Sequence, residues 1–201
     1  IREGSYQGVM ADGSMTVTKN GVFVDSMLDG PANVSYSTPE KDVYDEGIYA
    51  YGELFGFGSR KIVRKTDSNG ISESSAYEGE FFSGYYNGTG RFVTDLTGIS
   101  PQNWTFTRCG VKIKGINAPS IRIEMTGSFD DGEFIEGRVS VSTGQHKEGR
   151  FVSGELYDGK ETVVYQDGTR AEYTIKNGVK SDICRIEYSD GSVYEGPIKR
   201  Q

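Results

Sequence analysis

Acid–base chemistry needs two titratable groups held in a pocket that sets their pKa values apart, and few residues here qualify. The closest-set carboxylates are Asp130-Asp131, and Asp42 with Asp45-Glu46. Both groups lie among turn-forming and polar residues, where nothing buries one carboxyl and spares the other, so turn chemistry and solubility account for them. The single histidine, His146, stands in the polar run Gln145-His146-Lys147-Glu148 and reads as a solvated strand residue. Cys109 and Cys184 are too few for a zinc site without histidines at matching spacing. No Gly-x-x-x-x-Gly-Lys-Ser/Thr phosphate loop occurs. The reading is therefore no enzyme: no catalytic residue, no metal ligand and no cofactor-binding residue.

The residue types that recur at fixed spacing are glycine and aromatic. In Tyr77-Glu78-Gly79-Glu80-Phe81 the chain continues to Gly84, Gly88 and Gly90, so glycines fall at offsets 0, +5, +9 and +11 from Gly79, with an aromatic at +2. The same frame anchored at Gly47 gives Tyr49, Gly52, Gly56 and Gly58. Anchored at Gly21 it gives Phe23 and Gly30; at Gly127, Phe129 and Gly132; at Gly149, Phe151 and Gly154. Weaker copies start at Trp104 (with Phe106), Tyr173 and Gly196, and half a unit surrounds Gly8. Searching for such a period comes before any assignment of elements, because it dictates the fold.

These spacings predict the elements that position the aromatics. Ten Asp-Gly or Asn-Gly dipeptides occur, among them Asp12-Gly13, Asn87-Gly88, Asp131-Gly132, Asp167-Gly168, Asn177-Gly178 and Asp190-Gly191, and these favour the turns that join adjacent strands. Between them the alternation of Ile121, Ile123 and Met125 is that of a strand. The glycine-free stretch 179–190 also carries helical spacing at Val179, Ile183 and Ile186, and the repeat frame assigns it to a strand. Insertions at 65–75 and 37–42 account for the longer steps in the first half. Period two puts Tyr77, Gly79 and Phe81 on one face. Stacked units then form an aromatic row, Phe23, Tyr49, Phe81, Phe106, Phe129 and Phe151, flanked by Tyr77 and Tyr194 and lying over a row of glycines. The expected role of these eight residues is twofold: the apolar face of the sheet, and a binding surface for a protein partner.

A unit of about 23 residues with Tyr-x-Gly-x-aromatic-x-x-Gly-x-x-x-Gly-x-Gly resembles the MORN (membrane occupation and recognition nexus) repeat. The resemblance is carried by every glycine from Tyr77 to Gly90 and, in weaker form, covers Tyr6 to Gln201. It implies one domain over residues 1–201, an all-β, elongated, twisted, single-layer antiparallel sheet of tandem hairpin repeats. It also implies a scaffold for proteins or membranes, in the cytoplasm and associated with cytoskeleton or membrane. The alternative it offers is an accessory domain of a SET-type methyltransferase or a phosphatidylinositol phosphate kinase. The chain opens on Ile1 and ends five residues after its last anchor, which points to a piece of a longer protein.

Composition orders the partners. Lys and Arg number 22 against 29 Asp and Glu, a net charge of −7, which argues against nucleic acid and disfavours anionic lipid. Only Arg60, Lys61, Arg64 and Lys65 offer a basic patch for direct phospholipid binding. A protein partner is the leading expectation, with a second copy of the chain as another. The register places the two cysteines far apart, and two unpaired thiols favour a reducing compartment. Three sequons, at Asn33, Asn87 and Asn103, form the minority case for secretion.

Overall fold

The computed structural model describes residues 2–10, 13–68, 70–98, 104–116 and 118–197. These form sixteen strands: β1 (Arg2–Val9), β2 (Thr16–Val24), β3 (Met27–Ser37), β4 (Lys41–Ala50), β5 (Glu53–Arg64), β6 (Ser72–Phe82), β7 (Tyr85–Thr97), β8 (Trp104–Arg108), β9 (Val111–Ile116), β10 (Ser120–Asp130), β11 (Glu133–Val141), β12 (His146–Val152), β13 (Glu155–Val164), β14 (Arg170–Lys176), β15 (Val179–Glu187) and β16 (Val193–Pro197). Fourteen of them make one antiparallel sheet in chain order, from β1 to β7 and then from β10 to β16, with β1 and β16 as open edges. The sheet is not closed into a barrel. The stretch with competing helical spacing is strand β15.

Two-residue turns close one side of the sheet at Asp25-Ser26, Tyr51-Gly52, Ser83-Gly84, Asp131-Gly132, Ser153-Gly154 and Asn177-Gly178. Both residues of each have positive φ, +47° and +77° at Ser83 and Gly84. That geometry matches the twist of the flanking strands. The turn glycine has a second task, since its N–H is free to reach the neighbouring hairpin. Gly52 N donates to Leu28 O and Gly84 N to Leu54 O, both at 2.9 Å, as does Gly132 N to Tyr86 O. Successive hairpins are thereby stitched along one border. Not every Asx-Gly pair turns the chain, however. Asn87-Gly88 lies inside β7, where Gly88 (φ +80°) sits beside a register irregularity. Asp12 lies outside the described residues.

Ten other glycines, with Ala32, form a line across the strands. Gly4 pairs with Gly21, Gly21 with Ala32, Ala32 with Gly47, and so on through Gly58, Gly79, Gly90, Gly127, Gly137 and Gly149 to Gly159. In the units at Gly127 and Gly149 the second glycine of the line comes at +10, not +11, because the register slips by one residue there and by two in the unit at Gly79. The line exists because rings and carbonyls lie across it. A Cβ on Gly90 would stand 2.2 Å from Tyr77 Oη, and one on Gly127 2.0 Å from Glu136 O.

The unit anchored at Trp104 does not join the sheet. Gly90 pairs directly with Gly127, so β7 and β10 are neighbours and no slot remains between them. The 23-residue spacing from Trp104 to Gly127 is thus not a repeat step in space. Strands β8 and β9 pair with each other as a separate hairpin. Its apolar face, Phe106, Val111 and Ile113, is 9%, 0% and 3% exposed and belongs to the same core as the sheet.

Candidate protein-interaction face

The sheet has an inner face, covered in part by the β8–β9 hairpin, and an outer face with nothing over it among the described residues. The expected aromatic row lies on the inner face and is core. Tyr49, Tyr77, Phe81, Phe129 and Phe151 are between 1% and 4% exposed, and Phe23 is half-buried against the same cluster. Phe106 is buried too, but it reaches the cluster from the hairpin rather than standing in the row. Tyr194, 37% exposed near the β16 edge, repeats the local bond of Tyr77: its hydroxyl donates to Pro197 O at 2.9 Å, as Tyr77 Oη donates to Glu80 O at 3.0 Å. Rings with a few per cent of their surface exposed offer a partner little to touch, so Tyr49, Tyr77, Phe81, Phe129 and Phe151 serve as the apolar face of the sheet, while Phe23 and Tyr194 keep exposed surface.

The row also has a companion that the glycine frame did not reveal. Leu28, Leu54, Tyr86, Phe134 and Leu156 stand directly across from Phe23, Tyr49, Phe81, Phe129 and Phe151. They share offset +7, a recurrent apolar position that would have disclosed them. Tyr86 stacks on Tyr77 at 4.0 Å and 13°, and Phe81 and Phe129 meet Tyr77 edge-on at 5.1 Å. Burial pushes the Tyr77 hydroxyl up to about 12, with Glu80 adding to it, and pushes Tyr49 and Tyr86 up as well.

Charged groups on the inner face are consumed in holding it together. Arg60 makes a two-pronged pair with Asp45 at 2.8 Å for both bonds, gives its third nitrogen to Gly84 O at 2.8 Å, and lies over the Phe81 ring. Arg108 on the hairpin grips Glu73 in the same way, at 2.7 and 2.8 Å, and Lys114 reaches Glu155 at 2.7 Å. Arg64 adds a contact to Glu73 at 3.4 Å and Lys65 one to Asp42 at 3.7 Å. Three of the four residues of the expected basic patch therefore already face carboxylates, and of the four only Lys61 has no ion pair among the described residues.

The other candidates of the sequence fall apart in space. His146 opens β12, half-buried in a hollow between Arg170 and Arg185, and burial lowers its pKa, with Arg138 and Arg170 adding to the effect. Cys184 is buried in the sheet and Cys109 sits in the hairpin turn; both are free thiols. Burial pushes the Cys109 thiol up to about 12. Among the described residues no group of three or more His, Cys, Asp or Glu is placed to hold a metal ion.

The outer face carries a feature the sequence reading missed. Ile48, Phe55, Phe57, Phe82 and Tyr85 are 46%, 46%, 64%, 54% and 59% exposed. They are contiguous: Phe55 and Phe82 have ring centroids 5.5 Å apart, Phe82 pairs with Tyr85, and Phe57 shares a shallow hollow with Ile48 and Pro31. Around them stand the carboxylates of Glu46, Glu53, Glu78 and Glu80, all exposed. Phe55 and Phe57 occupy offsets +8 and +10, where residue type varies from unit to unit (Asp29, Asn87, Ile135 and Tyr157 at +8; Thr89, Gly137, Gly159 and Ile183 at +10), so a search for recurrence passes over them. Comparison with protein-family models and with curated proteins returns no match for this chain.

Proposed function

We propose that this chain is a non-enzymatic repeat scaffold that binds a protein partner through the outer surface of β4–β7. The observation that carries the reading is the contiguous set Ile48, Phe55, Phe57, Phe82 and Tyr85, exposed on a sheet whose other face already has its aromatics packed. Contiguous exposed apolar surface marks interaction sites, and large aromatics concentrate interface energy. The resemblance to the MORN repeat supports a scaffold, and the two free thiols are consistent with a reducing compartment such as the cytoplasm. The same surface would serve an accessory domain of an enzyme equally well. Direct phospholipid binding has less support, since Arg60, Arg64 and Lys65 are paired with Asp45, Glu73 and Asp42.

The test is site-directed photo-crosslinking in extract of the source cells. A benzophenone side chain at position 57 should yield a discrete protein adduct, and one at position 152, in a two-residue-turn hairpin of the second half, should not. Equal labelling from both positions, or none from position 57, would remove the outer face as the binding surface.

A further inference from the structure

The outer face changes character along the sheet. From β7 onward five of its cations are met by carboxylates, with Arg170 and Lys176 of β14 the exceptions: Arg91 by Glu124 at 2.8 Å, Arg122 by Asp95 at 3.4 Å, Arg138 by Glu148 at 3.5 Å, Arg150 by Asp158 at 2.7 Å and Lys160 by Glu172 at 3.1 Å. The pairing is strong enough for Arg91 to hold the Glu124 carboxyl below its usual range. Beside the exposed rings the pattern stops. Among the described residues Glu46, Glu53 and Glu78 have no ion-pair partner, although Arg91 stands opposite Glu78 in register and is turned to Glu124 instead. Glu80 accepts a bond from Thr89 N. Lys61 is the one outer-face cation of β4–β6 that could offset them.

The aromatic surface is thus embedded in uncompensated negative charge, and that combination selects its occupant. Covering the rings with any partner strips water from the neighbouring carboxylates, which is costly unless cations meet them. An acidic segment would be repelled, a purely apolar one would leave buried charges unpaired, and an anionic membrane surface would meet like charge. A cation gains twice here, from the carboxylates and from the faces of the rings. The spacing also fits. Glu78, Glu80 and Phe82 follow one another at about 6.8 Å along β6, two residues of strand rise, close to the roughly 5–6 Å between i and i+4 side chains of a helix. Phe57 lies directly across from Glu80, so apolar and acidic positions interleave across strands as well.

We infer that the occupant is a basic amphipathic protein segment, with apolar side chains on Phe55, Phe57 and Phe82 and Lys or Arg against Glu46, Glu53 and Glu78. The inference rests on the protein-binding reading above and names the partner's chemistry. The experiment is fluorescence anisotropy of the full chain with a labelled 18-residue helical peptide of Leu and Lys, at 50 and 300 mM salt. Its counterpart with Glu for Lys serves as the comparison. The Leu–Lys peptide should bind at least tenfold tighter than the Leu–Glu peptide and should weaken severalfold at the higher salt. Phe57→Ser with Phe82→Ser should weaken it at least tenfold. Glu46→Gln, Glu53→Gln and Glu78→Gln together should flatten the salt dependence. All these side chains are exposed, so each variant should melt with the parent, and circular dichroism checks that. Equal binding of the two peptides, binding indifferent to both sets of substitutions, or no binding of the Leu–Lys peptide would each overturn the inference. If the peptide fails while position 57 still forms its protein adduct, the basic chemistry is wrong and the binding surface stands; if both fail, so does the surface.

Discussion

Tyr49 and Tyr77 occupy the same inner surface and differ in the company of one atom. Tyr77 Oη donates to Glu80 O, whereas Tyr49 Oη is buried and makes no hydrogen bond among the described residues. A buried hydroxyl without a partner costs about 1–3 kcal/mol, and a satisfied one contributes about 1 kcal/mol net. Tyr49→Phe should therefore raise the midpoint of urea unfolding and Tyr77→Phe should lower it, and equal shifts would refute the distinction. Part of this scale was legible in the sequence: glycine at offset 0 and an aromatic at +2 recur together, but the groups that lie over the glycines are Tyr77, Leu54, Phe134 and backbone carbonyls, not the +2 rings. Whether those aromatics face water was not legible. Exposure depends on what packs over a residue from elsewhere in the chain, and local periodicity carries no such information.

The β8–β9 hairpin is the element that decides the matter. Its Cys109-Gly110 turn has φ values of +44° and +74°, like the turns of the sheet, and its anchor kept the repeat spacing, so it read as one more unit. Strand pairing is settled between distant segments, and the direct fit of Gly90 to Gly127 leaves the hairpin its own apolar side to bury. Cys109 reports on that docking. It is half-buried against the core, and its backbone carbonyl accepts from Phe134 N at 2.8 Å. At pH 8 a thiol reagent should modify Cys109 slowly in the native chain and rapidly in Arg108→Ala, which breaks the grip on Glu73; equal rates would mean that the hairpin is not held there. The same burial sets an alkaline limit. A thiol with an ordinary pKa of 9.0 when unfolded and about 12 when folded stabilises the fold fully below pH 9. That contribution is lost as pH rises from 9 to 12, because the unfolded chain releases its proton first. Tyr77, raised from 10.0 to about 12, acts in the same direction from pH 10. Denaturation midpoints should fall steadily above pH 9, and the Cys109→Ala variant should begin to fall about one pH unit later.

For the molecule as a whole, fourteen strands at about 4.8 Å each span roughly 60 Å across the sheet. Its radius of gyration should exceed the roughly 16.5 Å of a compact 201-residue domain, and small-angle scattering that returned the compact value would contradict the open sheet. The all-β architecture and hairpin order were readable because glycine spacing, turn dipeptides and alternation all pointed the same way. The exposed aromatic surface of β4–β7 was not, since it stands at positions whose residue type varies from unit to unit.

The line of small residues from Gly4 to Gly159 crosses eleven strands. Sterically it is a seam. From Gly47 to Gly159 no Cβ holds the strands off one another, and the space is taken by the Tyr77 and Phe134 rings, by Leu54 and by carbonyls of the neighbouring strands, so a methyl group added at any of these glycines would meet ring, side chain or backbone. The seam ends where Ile175 takes the place of glycine opposite Gly159.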